Sequence, residues 1–148
     1  MDTTGREKVR LLNRQAKALD ALYHRAAMGF GMSDCAFWVL YVLLSEERDL
    51  TQQDLCEDWS FIKQTLNSAV IGLREKGYLV LEPVPRDKNR KLLRLTPAGR
   101  RYAEGSVMKV IRAEQAAMAS LTEEEFQQLL TLKDRSLRLL TEELEQLL

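Results

Sequence analysis

The stretch LTQQDLCEDWSFIKQTLNSAVIGLREKGYLVLEPVPRDKNRKLLRLTPAG, Leu50–Gly99, changes its hydrophobic period twice, and those changes decide the fold. Thr51 and Asp54 are a cap residue and an acid three positions on, which predicts a short helix to about Asp58. Trp59 and Ser60 then make a turn. The next helix is predicted from about Ile62 to Lys76, with Ile62, Leu66, Ala69, Val70 and Leu73 on one face and Gly77 as its stop. Beyond it the period falls from 3.6 to 2. Leu79 and Leu81 alternate with Val80 and Glu82, and Leu93 and Leu95 with Leu92 and Arg94, the pattern of a hairpin. Pro83 and Pro85 limit its pairing, so its outer part is expected to stand free of a sheet. A polar, basic loop, Arg86 to Lys91, is expected between the strands. Thr96 followed by Pro97 is a cap and a first-turn proline, starting a long helix to about Ala119.

Outward from this stretch the chain reads as helix. Thr4 and Glu7 open a first helix whose apolar positions, Val9, Leu12, Ala16, Leu19, Leu22 and Ala26, recur every three or four residues. Gly29 and Gly31 end it. Ser33 caps a second helix to about Glu46, apolar nearly all round and therefore central to the core. Thr122 and Glu125 cap the last helix, where Leu130, Leu137 and Leu144 recur every seven residues with Leu140 and Leu147 interleaved, an apolar seam interrupted by Lys133. The fold class that follows is mainly α with a small β-hairpin wing. It is a winged helix-turn-helix over about 32–102, flanked by N- and C-terminal helices, about 1–31 and 106–148, in a single domain over 1–148.

The formal net charge is zero over 148 residues. Its distribution is not even: from Phe61 to Arg101 ten basic residues stand against three acidic ones, a net of +7 that the flanks must cancel. Such a patch neutralises phosphates. Helix, short helix, tight turn, helix and hairpin is the order of a helix-turn-helix with a wing, in which the helix after the turn enters the major groove. Its polar face offers Lys63, Gln64, Thr65, Asn67, Ser68 and Arg74. Gln and Asn pair bidentately with adenine, Lys and Arg with guanine. The wing brings Arg86, Lys88, Asn89, Arg90 and Lys91 toward the backbone or the minor groove, whose negative potential favours cations. Double-stranded DNA is the partner these features point to. A polar helix face or a basic turn alone is ordinarily just solvated surface; order and spacing together carry the reading. A winged helix that binds protein instead of DNA is the alternative, and the zero net charge is its support.

No nucleophile–base pair, phosphate-binding glycine loop or metal-ligand set stands out, so neither an enzyme nor a cofactor is expected. Cys35 and Cys56 form no Cys-x-x-Cys pair and read as reduced, buried thiols. His24 has no cysteine or carboxylate at ligand spacing. The polar start, Met1 to Lys17, is unlike a signal peptide, and no apolar run reaches the roughly 20 residues of a membrane helix, so a cytoplasmic location is expected.

At Leu50–Gly99 above all, in "KQTLNSAVIGLREKGYL" and "LLRLTPAGRRY", the chain resembles the MarR family of bacterial transcription regulators. The resemblance implies that the N- and C-terminal helices, about 1–31 and 106–148, are dimerisation helices that build a homodimer; it also implies a pseudo-palindromic operator and, usually, repression. Family wings commonly read Asp-x-Arg at the tip, the arginine entering the minor groove. Here Asp87 and Lys88 are followed by Asn89, and the arginine comes next, at Arg90. Either Arg90 or Lys88 takes that role, or the wing relies on phosphate contacts. Many relatives bind small aromatic acids between the dimerisation helices and the winged domain. Tyr23, Phe30, Met32, Trp38, Tyr41 and Trp59 could line such a cleft, although helical spacing alone places them in the core.

Overall fold

The computed structural model describes residues 2–148. Among these, seven helices and two strands follow in the order α1 (Gly5–Gly29), α2 (Asp34–Ser45), α3 (Gln52–Trp59), α4 (Lys63–Glu75), β1 (Leu79–Val84), β2 (Asp87–Leu95), α5 (Pro97–Glu104), α6 (Val107–Met118) and α7 (Glu123–Glu145). They divide into two compact units, one ending at Val110 and the other Ile111–Leu148. Among the described residues no single helix is long and apolar enough to cross a membrane.

The helix starts follow the sequence closely, because a hydroxyl placed to accept from the first turn satisfies an otherwise orphaned N–H. Thr4, Ser33, Thr51, Thr96 and Thr122 all cap in this way. At Thr51–Asp54 and Thr122–Glu125 the reciprocal bond is also made, closing a capping box. Gly31 and Gly77 take positive φ, 71° and 75°, where a side chain would be strained. α2 is the centre of the first unit, as its apolar circumference requires: Phe37, Val39, Leu40 and Val42 are buried, with Leu55 of α3, Leu66, Val70 and Leu73 of α4, and Leu79 and Leu93 of the hairpin.

Three expectations need correction. The helix expected from Pro97 to Ala119 is two helices. Gly105 and Ser106 interrupt it: glycine is a poor helix former, and the Ser106 N–H and hydroxyl bond back to Ala103 O and Tyr102 O. Ile62 does not join the buried face of α4 but sits at its N-cap, 72% exposed. The loop expected over Arg86 to Lys91 is mostly strand. The turn is only Pro85–Arg86, and β2 already begins at Asp87. Pairing is antiparallel, from Leu79 opposite Leu95 to Pro83 opposite Lys91, then Val84 opposite Asp87. Lys88, Asn89 and Arg90 are the extra residues at that shift, a bulge placed where Pro83 has no N–H for the ladder.

The hairpin root is fixed from two sides. Thr96 donates its hydroxyl to Gly77 O at 2.6 Å. Gly99 lies so close to the Tyr78 backbone that a Cβ there would meet Tyr78 O at 1.9 Å. On the other side the residues before α3 add a short third partner: Leu93 N–H donates to Leu50 O at 2.8 Å, and Thr51 bridges to Leu92.

Candidate nucleic-acid interface

α4 buries Leu66, Val70 and Leu73, so the opposite side must face solvent. Lys63, Gln64, Thr65, Asn67, Ser68 and Arg74 are all exposed, with Gln64 and Ser68 opposite the buried face and Lys63 and Arg74 on its flank. The Ser68 hydroxyl donates to Gln64 O at 3.2 Å and so is engaged with its own helix. Two apolar side chains, Ile62 and Ile71, share the exposed surface of this helix region. Sequence periodicity missed Ile62 because the i, i+4 step to Leu66 suits a core residue as well as a cap position.

The wing sorts its cations. Arg94 donates from Nη1 to Asp49 at 2.6 Å and from Nε to Glu82 at 2.9 Å. Arg90 donates from Nη2 to Asp54 Oδ1 at 3.3 Å, with Thr51 Oγ1 at 3.4 Å. Arg86, Lys88 and Lys91 are exposed and enter no ion pair among the described residues. Asn89 is exposed, and its N–H is held by Asp87 Oδ1 at 3.0 Å. Two of the ten cations behind the +7 segment are thus matched by acids, and two of those acids, Asp49 and Asp54, lie outside it. Burial alone would raise the Asp54 carboxyl. Bonds from the Thr51 backbone and hydroxyl, with the charges of Arg90 and Arg48, outweigh that and hold it below its ordinary value.

The expected aromatic cleft is partly assembled. Tyr23, Phe37, Trp38, Tyr41 and Trp59 form a continuous run of rings, with Tyr23–Trp38 centroids 4.7 Å and Trp38–Tyr41 centroids 5.0 Å apart. Trp59 also donates to Glu46 at 3.0 Å. An open cleft of about 450 Å³ beside this run is lined by Cys35, Trp38, Trp59, Ser60, Phe61, Ile62 and Thr65. Of the expected set it takes in Trp38 and Trp59; Tyr23, Phe30, Met32 and Tyr41 are not among its lining residues. Cys35 and Cys56 are free thiols, half-buried rather than buried, and burial pushes the Cys35 thiol up. His24 has a carboxylate partner after all. Its Nδ1 lies 2.7 Å from Asp34 Oδ1, a pair ten residues apart that joins α1 to the start of α2. Among the described residues no group of three or more His, Cys, Asp or Glu is placed to hold a metal ion.

Residues 30–88 match the MarR family model. Over those residues the chain is similar to the MarR family. Solved MarR structures share the fold. A MarR family regulator from Neisseria meningitidis aligns with a TM-score of 0.80 at 20% identity, covering 94% of this chain and 97% of that one. The S. aureus MepR–DNA complex aligns at 0.70 and 20%, covering 94% and 99%. BpsR from Bordetella bronchiseptica, whose DNA binding is regulated by 6-hydroxynicotinic acid, aligns at 0.67 and 20%, covering 92% and 97%. No curated protein matches the sequence at a significant level. The mainly helical fold with an antiparallel hairpin wing matches solved MarR winged helices, as the resemblance implied.

Proposed function

We propose that this protein is a sequence-specific DNA-binding transcription regulator, a repressor that acts as a homodimer on a pseudo-palindromic operator and is released from it by a small aromatic ligand. One observation carries the reading. An exposed polar face on α4 stands beside a wing whose outer cations, Arg86, Lys88 and Lys91, are left without ion pairs among the described residues while its inner arginines are matched by acids. In this reading Gln64, Asn67 and Lys63 read base edges, and the wing cations meet the backbone or the minor groove. The MepR–DNA complex supports it as a structural relative.

The dimer reading is supported by apolar faces left open in the single chain. Val9, Leu12, Leu19 and Leu22 on α1, and Leu130, Leu137, Leu140 and Leu144 on α7, are all exposed. Contiguous apolar surface of this kind marks an interaction site. The ligand reading is supported by the cleft at Trp38 and Trp59 and by BpsR among the structural relatives.

The test is a gel-shift titration of the full chain against its own upstream DNA over a salt series, with sedimentation analysis. The expected result is a shift whose affinity falls steeply with salt, from a particle of twice 17.0 kDa. Asn67→Ala and Gln64→Ala should relax base preference rather than abolish binding. A folded dimer that shifts no DNA at low salt would sink the reading. Thermal shifts with aromatic carboxylates test the ligand by mass action.

A further inference from the structure

Arg90 is turned inward. It sits in the bulge opposite Pro83–Val84, and its guanidinium reaches the N-terminus of α3 while its side chain stays 40% exposed. Its Nε is buried and has no hydrogen-bond partner. The acid it meets is already engaged. Asp54 Oδ2 accepts from the Thr51 N–H at 2.8 Å and from the Thr51 hydroxyl at 3.0 Å, closing the α3 capping box. One carboxylate is therefore shared, one oxygen capping the helix and the other holding the wing. The Leu93–Leu50 bond and the Thr51–Leu92 bridge lie directly beside it. Withdrawing Arg90 toward DNA would leave Asp54, whose side chain is only 17% exposed, without its nearest cation.

We infer that Arg90 is a positioning residue: tying the wing to α3 through Asp54, it fixes where Arg86, Lys88 and Lys91 meet the duplex and makes no DNA contact itself. This rests on the DNA-binding function proposed above. A contacting Arg90 and a positioning Arg90 demand opposite responses at Asp54. Were Arg90 a DNA contact, Asp54 would compete with the phosphates for it, and Asp54→Asn would tighten binding. As a strut, the same change loosens the wing and weakens binding. Asparagine keeps an oxygen for the Thr51 N–H, so the cap persists while the charge is lost.

The experiment compares the full-length protein, Arg90→Ala, Asp54→Asn and the double variant on the upstream DNA. It measures affinity over a salt series, hydroxyl-radical footprints, and amide exchange at Leu93 without DNA. Each single change should weaken binding about tenfold, with the double no weaker than the poorer single, as expected for one shared interaction. The salt slope should stay that of the unaltered protein. Protection should be lost only where the wing lies, with the α4 footprint retained, and the Leu93 amide should exchange faster in all three variants. Asp54→Asn binding as tightly as the unaltered protein or tighter overturns the inference. So does a slope lowered by about 0.9 in Arg90→Ala, or a footprint lost evenly along the site, the mark of general destabilisation. If the unaltered protein shifts no DNA, the function proposed above fails and takes this inference with it. If it shifts DNA and Asp54→Asn is neutral, the inference fails alone.

Discussion

The root and the tip of the hairpin are built from the same two strands by opposite means. At the root, Leu79 and Leu93 are buried, Thr96 is bonded to Gly77, and Gly99 is pressed against Tyr78. At the tip, Arg86, Lys88 and Lys91 are exposed and have no ion pair among the described residues. Between them Arg90 and Arg94 are matched by acids. An arginine's role here is decided less by its type than by which carboxylate the fold sets opposite it. Rigidity at one end lets charge at the other be displayed in a defined place.

The sharpest break in this contrast is Gly99→Ala at the root. A Cβ that would stand 1.9 Å from a backbone oxygen cannot be accommodated by a rotamer change. Stability should fall by about 3 kcal/mol or more in urea denaturation, at the upper end for overpacking. Alanine at Arg86, Lys88 and Lys91 together is the converse at the tip. Stability should move by no more than about 0.5 kcal/mol, while the slope of log affinity against log salt should shrink by about 0.9 for each phosphate no longer neutralised. A tip triple variant that melts early, or keeps its full slope, would dissolve the contrast.

Two smaller effects sharpen it. Ile62 occupies the N-cap of α4 with no side-chain bond, where five other helices carry a capping threonine or serine. Ile62→Ser should therefore stabilise the fold by about 1 kcal/mol in thermal or urea melts. The smallest effect concerns pH. The Asp54 carboxyl is held low in the folded state, so its stabilising contribution is complete above its unfolded value and disappears as pH falls through the folded one. Exchange at the Leu93 amide, scaled for intrinsic rate, should be flat from pH 7 to about 5 and rise only below about 3.8.

Local chemistry is legible in the sequence; long-range pairing is not. Thr51, Thr96 and Thr122 announce helix starts because a cap needs only a hydroxyl and the N–H groups of its own first turn. Leu79 to Leu95 announces a hairpin because period 2 is a property of each strand alone. The break at Gly105–Ser106 escapes because one glycine weakens a helix by only about 1 kcal/mol and does not dictate an end. The extension of β2 to Asp87 escapes because strand pairing at a bulge depends on the opposite strand. Within the interface the exposed face of α4 follows from where its apolar residues fall. The attachment of Arg90 to Asp54 does not, since the two lie 36 residues apart and neither one's neighbours mark the other. The His24–Asp34 pair is hidden in the same way by the bend between α1 and α2.

The seam between β2 and the start of α3 has a consequence for how the chain opens. Arg90 to Asp54, Arg90 to Thr51 and Arg94 to Asp49 span 36, 39 and 45 residues. Each alone would have to offset a loop-closure entropy of about 3 kcal/mol, which grows only slowly with loop length. Nested as they are, they share a single closure: once one link holds, the others form almost free of that penalty. The seam should zip and unzip as one event rather than fray link by link.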